Sequence, residues 1–206
     1  MPTRILRHPL ASHLLARLRD KRTQPADFRI HCRSLTSMLV LDATWSIATR
    51  REAVETPLEA TEAEVLAQGL AVVPVLRAGL GMLEPILGLF PDVAVGYIGL
   101  ERDHETAVAH SYYCKLPKLE DRFTLCVDPM LATGGSATQA VTILKEHGAR
   151  KIAMVSVVAT PEGVNRFDSE HPDVEIVTAA VDRGLNIQKY IVPGLGDFGD
   201  RLFGTL

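Results

Sequence analysis

Apolar residues recur along this chain with two different periods. Near the start, Leu10, Leu14, Leu15 and Leu18 fall at helical spacing and define one buried face. The polar run of residues 19–25 ends that helix. Asp27, a favourable cap type, opens a second helix whose inner face carries Phe28, Cys32, Leu35, Leu39 and Ala43. The charged stretch from Glu55 to Glu64 reads as a surface excursion. Beyond it, short apolar runs alternate with helical periods. Strands are predicted over Leu70–Leu76, Val93–Leu100, Arg122–Val127, Ile152–Ala159 and Val174–Val181. Helices are predicted over Leu80–Leu89, Gly134–His147 and Pro161–Ser169. Such alternation points to an α/β fold with a mainly parallel central sheet covered by helices. Ligands of such sheets sit at the carboxyl ends of the strands. Chemistry is therefore sought immediately after each apolar run.

Composition narrows the field. The 206 residues are 47% hydrophobic and 23% charged, with a net charge of −3. That is an ordinary globular balance, and it excludes a disordered chain. It also argues against a nucleic acid or membrane partner held by a broad basic face. No signal peptide is read at the N-terminus, and no apolar run is long enough to span a bilayer. Cys32, Cys114 and Cys126 have no metal-type spacing and read as reduced thiols of a cytoplasmic protein. The organisation is one domain, 1–206, with a helical segment at 1–50, an α/β core at 69–181 and a terminal segment at 182–206.

The sharpest chemical signal is Val127-Asp128-Pro129-Met130-Leu131-Ala132-Thr133-Gly134-Gly135-Ser136-Ala137. An apolar strand ends in an acid, and Thr-Gly-Gly-Ser then opens a helix. Helix N-termini present unpaired N–H groups and positive partial charge, which suits a phosphate. The glycines permit close approach, and the Thr133 and Ser136 hydroxyls add donors. By itself Thr-Gly-Gly-Ser marks a capped turn as readily as a phosphate site. The preceding strand and Asp128, placed for a sugar hydroxyl or hydrated Mg²⁺, favour the phosphate. No Walker loop and no dinucleotide fingerprint is present, which disfavours a kinase or a dehydrogenase.

This segment resembles the phosphoribosyl pyrophosphate (PRPP) loop of the type I phosphoribosyltransferases, in the form carried by their uracil-using members. There the second acid of the loop is replaced, here by Pro129. The similarity covers nearly the whole chain. Val75-Leu76-Arg77-Ala78-Gly79-Leu80-Gly81-Met82 resembles the family's pyrophosphate loop. Tyr97 to Leu100, with Arg102-Asp103 and Glu105-Thr106, resembles its β-arm and active-site cover. Tyr190-Ile191-Val192-Pro193-Gly194-Leu195-Gly196-Asp197, followed by residues 199–205, resembles its C-terminal base-binding hood.

The resemblance implies transfer of a phosphoribosyl group from PRPP to uracil, giving UMP and pyrophosphate. It implies PRPP contacts at Arg77, Arg102, Asp128, Pro129, Met130, Leu131, Ala132, Thr133, Gly134, Gly135, Ser136 and Asp197, with Arg102 and Asp128 catalytic. Uracil is implied to lie against Ile191, Gly196, Asp197 and Phe198. Mg²⁺ is the implied cofactor, held mainly by PRPP rather than by a dedicated protein ligand set. A homo-oligomer, dimer or tetramer, and a GTP activator are further expectations. Phe198 stands where the family pattern has Ala, and Arg183 and Ile187-Gln188-Lys189 also depart from it. A Phe198 ring pointing away from the base leaves the backbone contact intact; a ring pointing in narrows the pocket. A PRPP-sensing regulator on the same scaffold and a different acceptor base are the competing readings.

Overall fold

A computed structural model describes residues 3–102 and 109–205, with only the backbone given for 101, 102 and 109–111. Strand β1 (Arg4–Ile5) precedes helix α1 (Pro9–Arg19). The His8 Nδ1 accepts the Leu10 N–H at 3.1 Å, and Pro9 takes the first helical position, where no N–H is needed. Arg17 and Arg19 lie in the last turn, where the helix dipole favours cations. The buried face is Ala11, Leu14, Leu15 and Leu18. Leu10 departs from expectation: it is half-exposed, and Ala11 takes its place against the core. Helix α2 (Pro25–Ala43) starts two residues before Asp27 because Pro25 suits the first helical position; Asp27 instead supplies negative charge to the first turn. Its predicted inner face is fully buried.

The charged excursion folds as a hairpin, β2 (Thr49–Glu55) and β3 (Ala60–Leu66), paired antiparallel from Thr49↔Leu66 to Glu55↔Ala60. Every β2 residue is exposed, so no alternation marks it in the sequence. The core begins with β4 (Gly69–Leu76), a short 3₁₀ turn (Ala78–Met82) and α3 (Leu83–Leu89). The predicted strand 93–100 divides at Gly96 into β5 (Ala94–Val95) and β6 (Tyr97–Arg102), both alongside β4. A side chain at 96 would collide with Leu116 and Pro117. There follow β7 (Ala109–Lys115), β8 (Arg122–Val127), β9 (Met130–Leu131) and α4 (Gly135–Glu146). Then come β10 (Lys151–Ala159), α5 (Pro161–Glu170) and β11 (Glu175–Val181). The chain ends with β12 (Gly184–Leu185), β13 (Ile191–Val192) and α6 (Phe198–Phe203).

The main sheet runs β1-β11-β10-β8-β4-β6-β7, and all its pairings are parallel except β6–β7. Successive side chains of a strand face opposite ways, so each apolar strand feeds two cores. Leu70, Val72, Leu125 and Val127 join α1, α2 and α6 on one face. Ala71, Val73, Val75 and Cys126 join α4 and the Phe167 ring of α5 on the other. Among the described residues no helix is long and apolar enough to cross a membrane.

The terminal segment is tied back onto α1. Both Arg19 terminal nitrogens grip the Asp182 carboxylate, at 2.6 and 2.8 Å, and one also donates to the Gly194 carbonyl at 2.7 Å. Asp182 in turn accepts the Gly194 N–H at 2.9 Å. The Asp182 side chain is only 6% exposed, so losing its partner strands a charge away from water. Arg19→Ala is expected to lower stability by about 3 kcal/mol, the usual cost of breaking a buried pair. A urea-unfolding midpoint shift equivalent to under about 1 kcal/mol, the ceiling for an exposed pair, would contradict this.

Candidate active site

The site is assembled where parallel strands end. In the β4–β8 ladder Pro74 lies opposite Val127, so the segments after both strands emerge side by side. After β4 the chain turns at Arg77 through a cis Leu76–Arg77 peptide bond. The Leu80 N–H donates to the Arg77 carbonyl at 3.1 Å, closing the 3₁₀ turn. Gly79 is required there, because a Cβ would sit 2.6 Å from the Val127 carbonyl oxygen. Arg77 itself is exposed at the edge of this turn.

After β8 the loop is pinned to β10. The Asp128 N–H donates to the Val155 carbonyl, and the Pro129 carbonyl accepts from Val157 and Val158. The half-buried Asp128 carboxylate accepts the Met130 N–H at 3.3 Å, which holds it at the strand end. The Thr160 hydroxyl donates to the Ala132 carbonyl at 2.6 Å while accepting the Gly163 N–H at 3.0 Å. It thus joins the loop to the start of α5. Gly134 then adopts φ of 78°, a left-handed conformation that glycine adopts without strain. A Cβ there would also lie 2.7 Å from the Gly163 carbonyl. The first intrahelical bond of α4 is Thr138 N–H to Gly134, so the amides of 135–137 precede the ladder and lie at its open end. The predicted PRPP-loop residues 128–136 therefore form one continuous segment that includes β9 and ends at the open start of α4.

The hood closes one side. Asn186 accepts the Gln188 and Tyr190 N–H groups on its side chain, forming a tight turn before Ile191. A cleft of about 230 Å³ lies between this hood and the strand ends, touching Ala78, Met130, Ile191, Gly196, Asp197 and Phe198. That is small for a ligand pocket and suits a single-ring base. The Asp197 carboxylate accepts the Asp200 N–H at 2.9 Å and caps α6, while remaining exposed to the cleft. The Phe198 ring does not fill the pocket. It packs edge-on against Phe28 at 5.2 Å between centroids, within the helical core, and is 2% exposed. Of the two orientations open at position 198, the structure takes the one in which the ring points into the helical core.

Arg201 anchors the same hood. It donates to the carbonyls of Leu18, Leu195 and Asp20 and lies 4.6 Å above the Phe28 ring. Sequence reasoning did not single out Arg201, Asp182, Thr160 or Gly163. Asp182 was recoverable, since it follows an apolar strand as Asp128 does. Thr160 and Gly163 carry no such signal, because their partners are loop carbonyls remote in sequence. The Arg102 side chain lies outside the described residues, as do 103–108 of the predicted cover.

Chemically the site is one of oriented donors rather than nucleophiles. Burial pushes the Cys32 thiol up to about 12 and the Cys126 thiol higher still, so both stay protonated. Among the described residues no group of three or more His, Cys, Asp and Glu converges to hold a metal. A second hollow of about 290 Å³, at Phe123, Lys151 and Val174, lies where strands begin, the opposite end from these loops.

A family model described as uracil phosphoribosyltransferase matches residues 5–205. The chain belongs to the uracil phosphoribosyltransferase family. A uracil phosphoribosyltransferase of Campylobacter fetus is 47% identical over 204 residues, 98% of each chain. One from Finegoldia magna is 49% identical over 200 residues, 96% of each. The solved structure of the AQ2163 protein from Aquifex aeolicus superposes with a TM-score of 0.94 at 37% identity, covering 98% of both chains. A phosphoribosyltransferase from Corynebacterium diphtheriae, TM-score 0.56 and 15% identical over 84% of this chain and 96% of that one, shares the fold.

The Phe198 packing makes a direct prediction. Phe198→Ala should cost about 3 kcal/mol in stability, within the range for emptying a buried aromatic position. Equilibrium unfolding reads it, and a loss below about 1 kcal/mol would mean the ring is not part of the core.

Proposed function

We propose that this chain transfers the phosphoribosyl group of PRPP to N1 of uracil, releasing pyrophosphate and forming UMP. The observation that carries the reading is the juxtaposition of two anion-suited turns, 77–82 and 128–136, at neighbouring strand ends beside a small cleft. In this reading the amides and hydroxyls of Thr133 to Ser136 hold the 5′-phosphate. Asp128 orients the ribose hydroxyls. Arg77 and the 3₁₀ turn receive the pyrophosphate. Arg102 joins them from the cover on the strength of the resemblance alone. Backbone groups around Ile191 and 196–198 read the uracil edge. Cytosine would set an amino group where the pocket offers a donor, leaving groups unpaired.

The bond from the ribose anomeric carbon to pyrophosphate breaks, and the bond to uracil N1 forms. The electron pair leaves with pyrophosphate, and the uracil N1 proton is lost. Charge develops on the sugar in between, so the protein contributes position and electrostatics rather than a covalent partner. Mg²⁺ supplies charge neutralisation on the pyrophosphate when bound. It suits this site because Mg²⁺ needs few protein carboxylates when substrate phosphates are present, and Asp128 stands at the strand end to share it. Cytoplasmic location, assembly of copies into a dimer or tetramer, and activation by GTP belong to the same reading.

One observation favours a second acceptor. Lys189 lines the cleft, and a cation there suits a base bearing a carboxylate, such as orotate. The deciding experiment offers uracil, cytosine, orotate and hypoxanthine in parallel, with PRPP and Mg²⁺. UMP from uracil alone, lost on chelation and restored by Mg²⁺, is expected. Product from orotate in preference to uracil would move the assignment. No product from any base would replace catalysis with PRPP sensing.

A further inference from the structure

The 5′-phosphate loop has a charge deficit. Residues 128–136 contain no Lys, Arg or His, and their one ionisable side chain is Asp128. A phosphate monoester carries nearly two negative charges at neutral pH. The N-terminus of α4 answers with only about half a positive charge. A cation from elsewhere in the fold would balance the site, and the packing of α5 brings one.

Arg166 lies on α5, directly over the start of α4. A Cβ built on Gly134 would lie 3.3 Å from the Arg166 Cβ, so the two backbones are nearly in contact. A Cβ built on Gly135 would lie 3.2 Å from the Arg166 Nη1 and 3.8 Å from the Thr133 Oγ1. The guanidinium and the Thr133 hydroxyl therefore both lie beside Gly135, at the start of α4. Its Nε meets the Glu170 carboxylate at 3.5 Å, with both side chains about half exposed. Such a pair is weak and solvent-screened, so it does not commit the guanidinium to Glu170.

Resting on the phosphoribosyl-transfer reading, we propose that Arg166 is a further substrate-binding residue, which supplies the counter-charge to the PRPP 5′-phosphate. A planar fork of donors suits two phosphate oxygens, and its charge persists at any working pH. The bare Gly135 fits this arrangement as well: a Cβ there would press on the guanidinium at 3.2 Å. Arg166 then acts on substrate capture, because the 5′-phosphate is remote from the breaking bond and keeps its charge throughout the reaction. Interactions of equal strength in the ground and transition states change KM rather than kcat.

The test compares the full chain with Arg166→Ala and Arg166→Lys. KM for PRPP and kcat are measured, together with calorimetric affinities for ribose 5-phosphate and pyrophosphate. In Arg166→Ala the KM for PRPP and the Kd for ribose 5-phosphate should both rise about tenfold, in line with loss of a hydrogen bond to a charged group. Changes in kcat, in KM for uracil and in pyrophosphate affinity should stay within about twofold, as for a uniform-binding residue. Arg166→Lys should recover part of the loss, which a packing defect would not. Unchanged ribose 5-phosphate affinity in Arg166→Ala, or equal weakening of pyrophosphate, overturns the inference. A wild-type chain that binds ribose 5-phosphate yet forms no UMP would overturn the activity reading instead, and ribose 5-phosphate binding would still decide the role of Arg166.

Discussion

The arrangement of this protein follows from the close parallel pairing of β4 with β8. Pro74 lies opposite Val127, the last residue of β8, and β4 runs on only two residues to Leu76, so both strands end on the same side of the sheet. Gly79 then lets the turn after β4 lie directly on the Val127 carbonyl, at a distance no side chain would allow. Two segments suited to anions become neighbours, as a substrate with phosphates at both ends requires. The apolar strands behind them are buried on both faces, and that burial resists slippage, because a one-residue shift would exchange the two cores.

Around this fixed centre the 128–136 segment and the hood are also held by polar contacts. The 128–136 turn is stitched to β10 through Pro129 and to α5 through Thr160. The hood is held from α1 by Arg19 gripping Asp182 and Gly194, and from its own α6 by Arg201 reaching the carbonyls of Leu18 and Asp20. These are charge-assisted contacts, stronger than neutral ones and strict about geometry. They hold the hood beside the cleft without filling it, and the Phe28–Phe198 pair ties α6 to α2.

Much of this was legible in the sequence. Fully apolar runs gave the central strands because both faces of a parallel sheet are buried. The strand-acid-loop-glycine pattern marked the 128–136 turn. Other parts were not legible for physical reasons. Strand β2 is exposed along its whole length and so carries no alternation, and in β3 only Ala63 and Val65 are partly covered. Leu10 matched the helical period, yet the period cannot tell the centre of a face from its flank, and Ala11 holds the buried place. The orientation of Phe198 depended on Phe28, 170 positions earlier in the numbering, which no local pattern reports. Arg166 escaped for the same reason, since its neighbours Gly134 and Gly135 belong to a different helix start.

The central claim is that two separate anion sites lie side by side and together hold one substrate. Calorimetric titration of the wild-type chain, Arg77→Ala and Gly135→Val with ribose 5-phosphate and with pyrophosphate in the presence of Mg²⁺ tests it most directly. A crossed pattern is expected. Arg77→Ala should lose pyrophosphate affinity and keep ribose 5-phosphate, and Gly135→Val should do the reverse. Equal loss of both ligands in both folded variants, or no loss in either, would contradict it.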